Sequence, residues 1–189
     1  SADSIRSGDV DLGHPAVGML HAANKETGTL CTASVVLNRK TILTARHCLW
    51  AGVETYKFGF SVEGEWIPVV FETDNALNRL GMDLDIAVGH LETAVPEDVA
   101  PMPLYLDAPR KDEEFVMVGF GVTGDGKPDW LVKRWNHNGI DWVENNKFGM
   151  HALFDEDVTC PADSGGPATH TVDGQDYVSG VATQSNRGP

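Results

Sequence analysis

The chain has 189 residues, 41% hydrophobic and 22% charged, a balance that suits a packed globular protein and excludes disordered and collagen-like classes. Fourteen Lys and Arg against 28 Asp and Glu leave a formal charge of −14, which repels phosphate backbones and anionic headgroups and sets nucleic-acid and membrane partners aside. No stretch approaches the roughly 18 uninterrupted apolar residues of a membrane span, and no basic, apolar signal sequence opens the chain, so a soluble protein is expected. Folding at this size removes roughly 70% of the unfolded chain's surface from water, which one domain or two small ones could do equally.

Short apolar or alternating runs follow one another with turn residues between them, at 16–22, 30–37, 41–45, 56–62, 66–71 and 84–91. They predict strands, and the second half repeats the habit at 115–122, 131–136, 150–154, 167–172 and 177–183. No long stripe of period 3.6 interrupts them. Glu63-Gly64 and Asp173-Gly174 each stand between two such runs and predict antiparallel hairpins, Asp-Gly in particular suiting the positive φ of a tight turn. Four of the ten prolines, Pro96, Pro101, Pro103 and Pro109, crowd one segment where ladder hydrogen bonds would be repeatedly interrupted. The chain is therefore expected to be all-β, with a unit over 1–95, a linker over 96–109 and a second unit over 110–189.

The segment Cys160-Pro161-Ala162-Asp163-Ser164-Gly165-Gly166-Pro167 places a serine between an acidic residue and two glycines. Glycines let backbone and substrate approach that serine closely, and clustered N–H groups there could hold an oxyanion. A hydroxyl is a weak nucleophile, so it needs a base and a group to orient the base. Thr44-Ala45-Arg46-His47-Cys48 offers the base at the end of an apolar run, and Asp85-Ile86-Ala87-Val88 offers a carboxylate within another. Asp83 lies on the same side of that run, so periodicity alone leaves both aspartates open. His14, His21, His90, His137, His151 and His170 stand in no such motif and read as structural. The acidic run Asp155-Glu156-Asp157 reads as a solvated loop rather than a calcium site, and no metal or cofactor is expected.

These three segments, in the order His, Asp, Ser, resemble the T-A-x-H-C, D-I-A-[LV] and D-S-G-G-P motifs of the trypsin/chymotrypsin-like serine endopeptidases. The likeness runs from Ile5-Arg6-Ser7-Gly8, similar to the family's mature N-terminus, to 180–185, similar to its substrate-binding strand. It implies two antiparallel β-barrels with the active site between them, the second barrel incomplete in this chain. It also implies Ser164 as nucleophile, His47 as general base and acid, Asp85 as the carboxylate fixing the imidazole, and the N–H groups of Ala162 and Ser164 as the oxyanion hole. Val158, Thr183, Gln184 and Ser185 would line the substrate site, and Asp163 would bind the ammonium freed at Ile5. Cys31 and Cys48 match the family's disulfide beside the catalytic histidine, which implies a secreted or extracytoplasmic protein acting on protein or peptide substrates.

Four positions depart from the family pattern. Ala162 replaces a glycine, Val158 replaces the aspartate of trypsins at the base of the specificity pocket, and Ser4 rather than Lys or Arg precedes Ile5, giving the chain the aspect of a zymogen. Cys160 would pair beyond Ser185, where only four residues remain, so a separate C-terminal fragment linked through Cys160 is expected to complete the second barrel. The alternative reading is a catalytically weak or inactive homologue that binds proteins through the same cleft.

Overall fold

Period-two burial organises the strands, as the pattern buried-exposed-buried-exposed over Ile67, Pro68, Val69 and Val70 illustrates. The computed structural model describes residues 9–71, 84–121, 131–144, 146–149 and 162–183. Within them the first half supplies β1 (Asp9–Val10), β2 (Val17–Ala23), β3 (Gly28–Val35), β4 (Thr41–Thr44), β5 (Thr55–Gly59), β6 (Ile67–Phe71) and β7 (Ala87–Leu91). The second half supplies β8 (Glu114–Gly119), β9 (Arg134–Gly139), β10 (Trp142–Glu144), β11 (Lys147–Gly149), β12 (Pro167–Val172) and β13 (Gln175–Val181).

Six strands close a barrel in the order β2-β3-β4-β7-β6-β5. Val17, Met19, Leu20, Val35, Ile42 and Phe58 on its strands are fully buried in one core cluster that covers both faces of β2, and each contributes roughly 1.5–3 kcal/mol by leaving water. A five-stranded sheet, β1-β9-β8-β12-β13, lies beside it, with β10 and β11 paired as a separate hairpin. β8 joins the two units because both of its faces are buried. Val116 and Val118 belong to the barrel's core cluster, whereas Phe115 and Met117 pack with Ile140, Ala168 and Ala182 in a second one. The proline-rich segment touches both units, pairing Met102 with Val36 and Leu104 with Val178.

The structure departs from the sequence expectations at several edges. β9 is shifted three residues towards the C-terminus, covering polar residues 134–139 rather than 131–136, because its pairing with β8 sets it opposite Glu114 to Gly119. β1, β10 and β11 carry no apolar alternation and were not expected. Asp85 stands just ahead of β7 rather than within a strand. The expected strand at 150–154 lies outside the described residues. Asp173 (φ 51°) and Gly174 (φ 79°) do form the tight turn joining β12 to β13, as Val172 pairs directly with Gln175. Glu63-Gly64 also joins an antiparallel hairpin, β5 to β6, through a longer connection.

The N-terminal segment is fastened to the second sheet by charge. Asp11, 4% exposed, takes the His14 ring at 2.6 Å and Lys133 Nζ at 3.3 Å, and the far side of the His14 ring lies 3.3 Å from Asp176 Oδ2. Burial alone would raise the Asp11 carboxyl, but hydrogen bonding and charge from His14, the Lys133 ammonium and the Gly13 N–H outweigh it and hold its pKa at about 2.

Candidate active site

The register of the barrel brings His47 to Asp85. Thr44, the last residue of β4, pairs with Ala87, the first of β7, so three residues after the one and two residues before the other meet at the same end of the barrel. Ala45 is extended, and the chain then tightens into a single 3₁₀ turn at Arg46–Cys48. Cys48 is disulfide-bonded to Cys31 on β3, which fixes this turn to the barrel wall. Asp85 holds His47 twice: Oδ1 accepts the backbone N–H at 2.8 Å and Oδ2 lies 2.6 Å from ring Nδ1. With the carboxylate ionised, Nδ1 carries the donated proton and Nε2 presents its lone pair. The His47 side chain is 41% exposed, so that lone pair can meet a substrate.

The turn from Ala162 to Gly166 is docked on β3 and β4. The carbonyl of Ser164 accepts the Thr32 N–H at 2.9 Å, and the Gly166 N–H closes back on the Asp163 carbonyl at 2.9 Å. Gly165 has φ +87°, and a Cβ there would run into the Thr32 carbonyl and Thr44 Oγ1, so this position requires glycine on both counts. Its N–H donates to the Ala182 carbonyl at 2.8 Å, and the Ala182 N–H donates to the Gly166 carbonyl at 2.7 Å. Thr183, exposed, therefore follows directly on the segment paired with the serine turn.

Two features set the turn's polar character. Asp163 is fully buried, and its Oδ1 accepts the Gly121 N–H at 2.7 Å. Ala162 has φ +77°, a left-handed conformation that costs a residue with a Cβ roughly 1–2 kcal/mol. Thr32 Oγ1 donates to its carbonyl at 2.6 Å. Among the described residues the amide N–H groups of Ala162 and Ser164 have no acceptor, which leaves two donors free at the turn.

The structure thus brings His47 and Asp85 into direct contact and sets Ser164 at the same junction, where the Cys48 sulfur lies 3.9 Å from the Ser164 carbonyl. No hydrogen bond joins Ser164 Oγ to the His47 ring. Val158, Cys160, Gln184, Ser185 and Ile5 lie outside the described residues, as does Asp83. Thr32 was not expected from sequence, since a threonine following Cys31 in an apolar run reads as ordinary strand. Among the described residues no three His, Cys, Asp or Glu side chains are grouped to hold a metal ion, and no helix is long and apolar enough to cross a membrane.

Comparison with curated proteins returned no match. Among solved structures, a thermostable serine protease from an extremophilic microorganism, AL20, superposes with a TM-score of 0.64 at 19% identity, over 87% of this chain and 82% of that one. At that identity the likeness concerns the fold, which is the chymotrypsin-like arrangement of a closed barrel and an adjoining sheet. The profile of the trypsin family matches residues 9–189, nearly the whole chain and all three motif segments, and on that match the chain belongs to the trypsin family of serine peptidases.

Proposed function

We propose that the protein is a serine endopeptidase hydrolysing peptide bonds through an acyl-enzyme, with Ser164, His47 and Asp85 as its triad. The observation that carries the reading is the double hold of Asp85 on His47, which selects the tautomer a general base needs. In this mechanism Ser164 Oγ attacks the scissile carbonyl carbon while its proton passes to His47 Nε2. The carbonyl oxygen becomes an oxyanion received by the N–H groups of Ala162 and Ser164. Collapse breaks the C–N bond, and the departing amine takes the proton from His47. Water then repeats the sequence on the acyl group and restores Ser164.

Val158, Thr183, Gln184 and Ser185 line the substrate site in this reading. A valine at the pocket base favours uncharged residues before the scissile bond, because a cation there would lose its hydration without compensation. Cleavage before Ile5 frees an ammonium for Asp163, a role supported by the complete burial of that carboxylate. The units 1–95 and 110–189, with the linker 96–109 between them, divide the triad two residues to one. The Cys31–Cys48 disulfide supports a secreted or extracytoplasmic location. A further segment disulfide-linked through Cys160 completes the second barrel beside β13, supported by the place of β13 as the outer strand among the described residues.

A second reading, a weak or inactive homologue that binds proteins, draws on the missing Ser164–His47 hydrogen bond and on Ala162. Free peptidases commonly tighten such contacts only with substrate bound, so the first reading stands ahead. Labelling with a peptidyl phosphonate decides between them. Stoichiometric modification of Ser164, lost together with peptide cleavage in Ser164→Ala, is the expected result. Cleavage that survives Ser164→Ala rejects the assignment, and intact protein that neither labels nor cleaves supports the binding module.

A further inference from the structure

His170 on β12 is 6% exposed, and its ring lies flat against Tyr105, with centroids 4.7 Å apart and planes 7° from parallel. Nδ1 lies 2.9 Å from Ser179 Oγ, and that hydroxyl donates to the Ala168 carbonyl at 3.0 Å. A serine hydroxyl has one proton. With that proton committed to Ala168, the bond between ring and serine is donated by Nδ1, so the neutral imidazole presents a lone pair at Nε2. Nε2 is buried and has no hydrogen-bond partner; what it faces is Glu113 Oε2, 3.6 Å away. Two acceptors thus meet across a gap too wide for a hydrogen bond.

The carboxylate is held in that place. The Arg110 N–H donates to the same Glu113 Oε2 at 2.9 Å. The turn that carries it is bonded twice to Ile140, whose carbonyl accepts the Asp112 N–H and whose N–H donates to the Glu113 carbonyl, each at 2.8 Å. The register of β12 with β8 runs through Ala168–Met117 and Thr169–Val116 and stops there, so His170 and Glu113 stand just past the end of that ladder. The other titratable or charged side chains on the elements around the ring are Tyr105 of the proline-rich segment, Tyr177, its register partner on β13, and Arg110 and Asp112 beside Glu113. β11 turns Phe148 edge-on towards the ring, and β8 supplies Phe115, packed against Phe148. Burial holds the His170 ring below the usual histidine range, and Glu113 is the charge that draws it back.

We propose that His170 and Glu113 form a proton-operated clasp on the second sheet: as the medium turns acid, Nε2 takes a proton from solvent and donates a hydrogen bond to Glu113 Oε2, extending the β12–β8 ladder by one side-chain bond. The proton stays on nitrogen, and a closure of about 0.7 Å brings the pair to the length of a charge-assisted hydrogen bond. Charging a buried ring costs free energy, so acid still weakens the fold, but Glu113 limits the loss by giving the imidazolium a counter-charge. The clasp belongs to the second sheet alone and works whether or not Ser164 is a nucleophile.

Ring-nitrogen NMR across the pH range, together with urea unfolding, tests this on the full chain as parent, Glu113→Gln, His170→Gln and the double variant. Glu113→Gln keeps an acceptor for the Arg110 N–H and removes the charge. At neutral pH the parent is expected to carry the His170 proton on Nδ1. In Glu113→Gln the ring is expected to titrate at lower pH than in the parent, because the imidazolium has lost its counter-charge. In urea, the unfolding constant of Glu113→Gln relative to the parent should rise several-fold as pH falls through the His170 titration, and should stay level when the same change is made in the His170→Gln background. A His170 titration unmoved by Glu113→Gln overturns the proposal, as does a neutral ring protonated on Nε2, or a relative loss in acid of equal size in both backgrounds. If His170→Gln does not fold, the ring titration in Glu113→Gln decides alone.

Discussion

Asp85 grips His47 at both backbone and ring, with Oδ1 2.8 Å from the N–H and Oδ2 2.6 Å from Nδ1. The two bonds fix the ring plane relative to the 3₁₀ turn and determine which nitrogen faces outward. Asp85→Asn presents an amide whose NH₂ must donate to Nδ1, leaving the proton on Nε2, where it cannot accept from a serine. We expect a fall in kcat/KM of the order of 10⁴ at neutral pH with little change in KM. A progress-curve assay over pH 5–9 checks it, and a loss under tenfold would show that Asp85 does not orient the base.

The Cys31–Cys48 bridge spans 17 residues in sequence and closes over β4 and the His47 turn. In the loop-entropy account such a closure is worth roughly 3 kcal/mol. Replacing both cysteines by serine should lower unfolding stability by about that amount in denaturant titrations. Activity should fall more steeply with temperature than in the parent, because the turn bearing His47 loses its fastening to β3.

Asp11 dictates an acid limit on stability. Its folded pKa of about 2 lies below the 3.8 of a free aspartate, so its contribution is complete above about pH 4 and disappears as pH falls through about 2. The shift corresponds to about 2 kcal/mol. Asp11→Asn should be less stable than the parent at pH 6, and the gap should close near pH 2. Urea unfolding at the two pH values measures this, and a gap that persists at pH 2 would assign the effect to packing instead.

His170 adds a second pH dependence of the opposite origin. Burial against Tyr105 and Phe148 pushes its pKa below the usual histidine range, and the nearby Glu113 only partly restores it. Its neutral form is favoured in the folded state, so stability is full above about pH 6.5 and is lost as pH falls through the lowered value. His170→Gln should flatten the stability profile below about pH 6.5 in thermal melts.

How much of this was legible in the sequence follows from where the information resides. The residue pattern around His47, Asp85 and Ser164 is local, and the strands that carry it alternate clearly enough to be read. β9 was misplaced because its residues, Arg134 to Gly139, are mostly polar and take their register from β8 rather than from their own pattern. β10 and β11, with little burial, offer no periodic signal. The bonds of Thr32 are invisible in the sequence because its partners, Ala162 and Phe120, stand 130 and 88 residues away. No local pattern records such a meeting.

The proline-rich segment is stitched on both sides. The Met102 N–H donates to the Val35 carbonyl at 2.9 Å, while three residues later the Tyr105 N–H donates to the Val178 carbonyl at 2.8 Å. A strap this short, bonded at each end to a different sheet, leaves no slack for hinge motion between barrel and sheet. Displacement of the barrel against the sheet would therefore have to break one of these two bonds, so the strap couples the two parts as a short, taut tie.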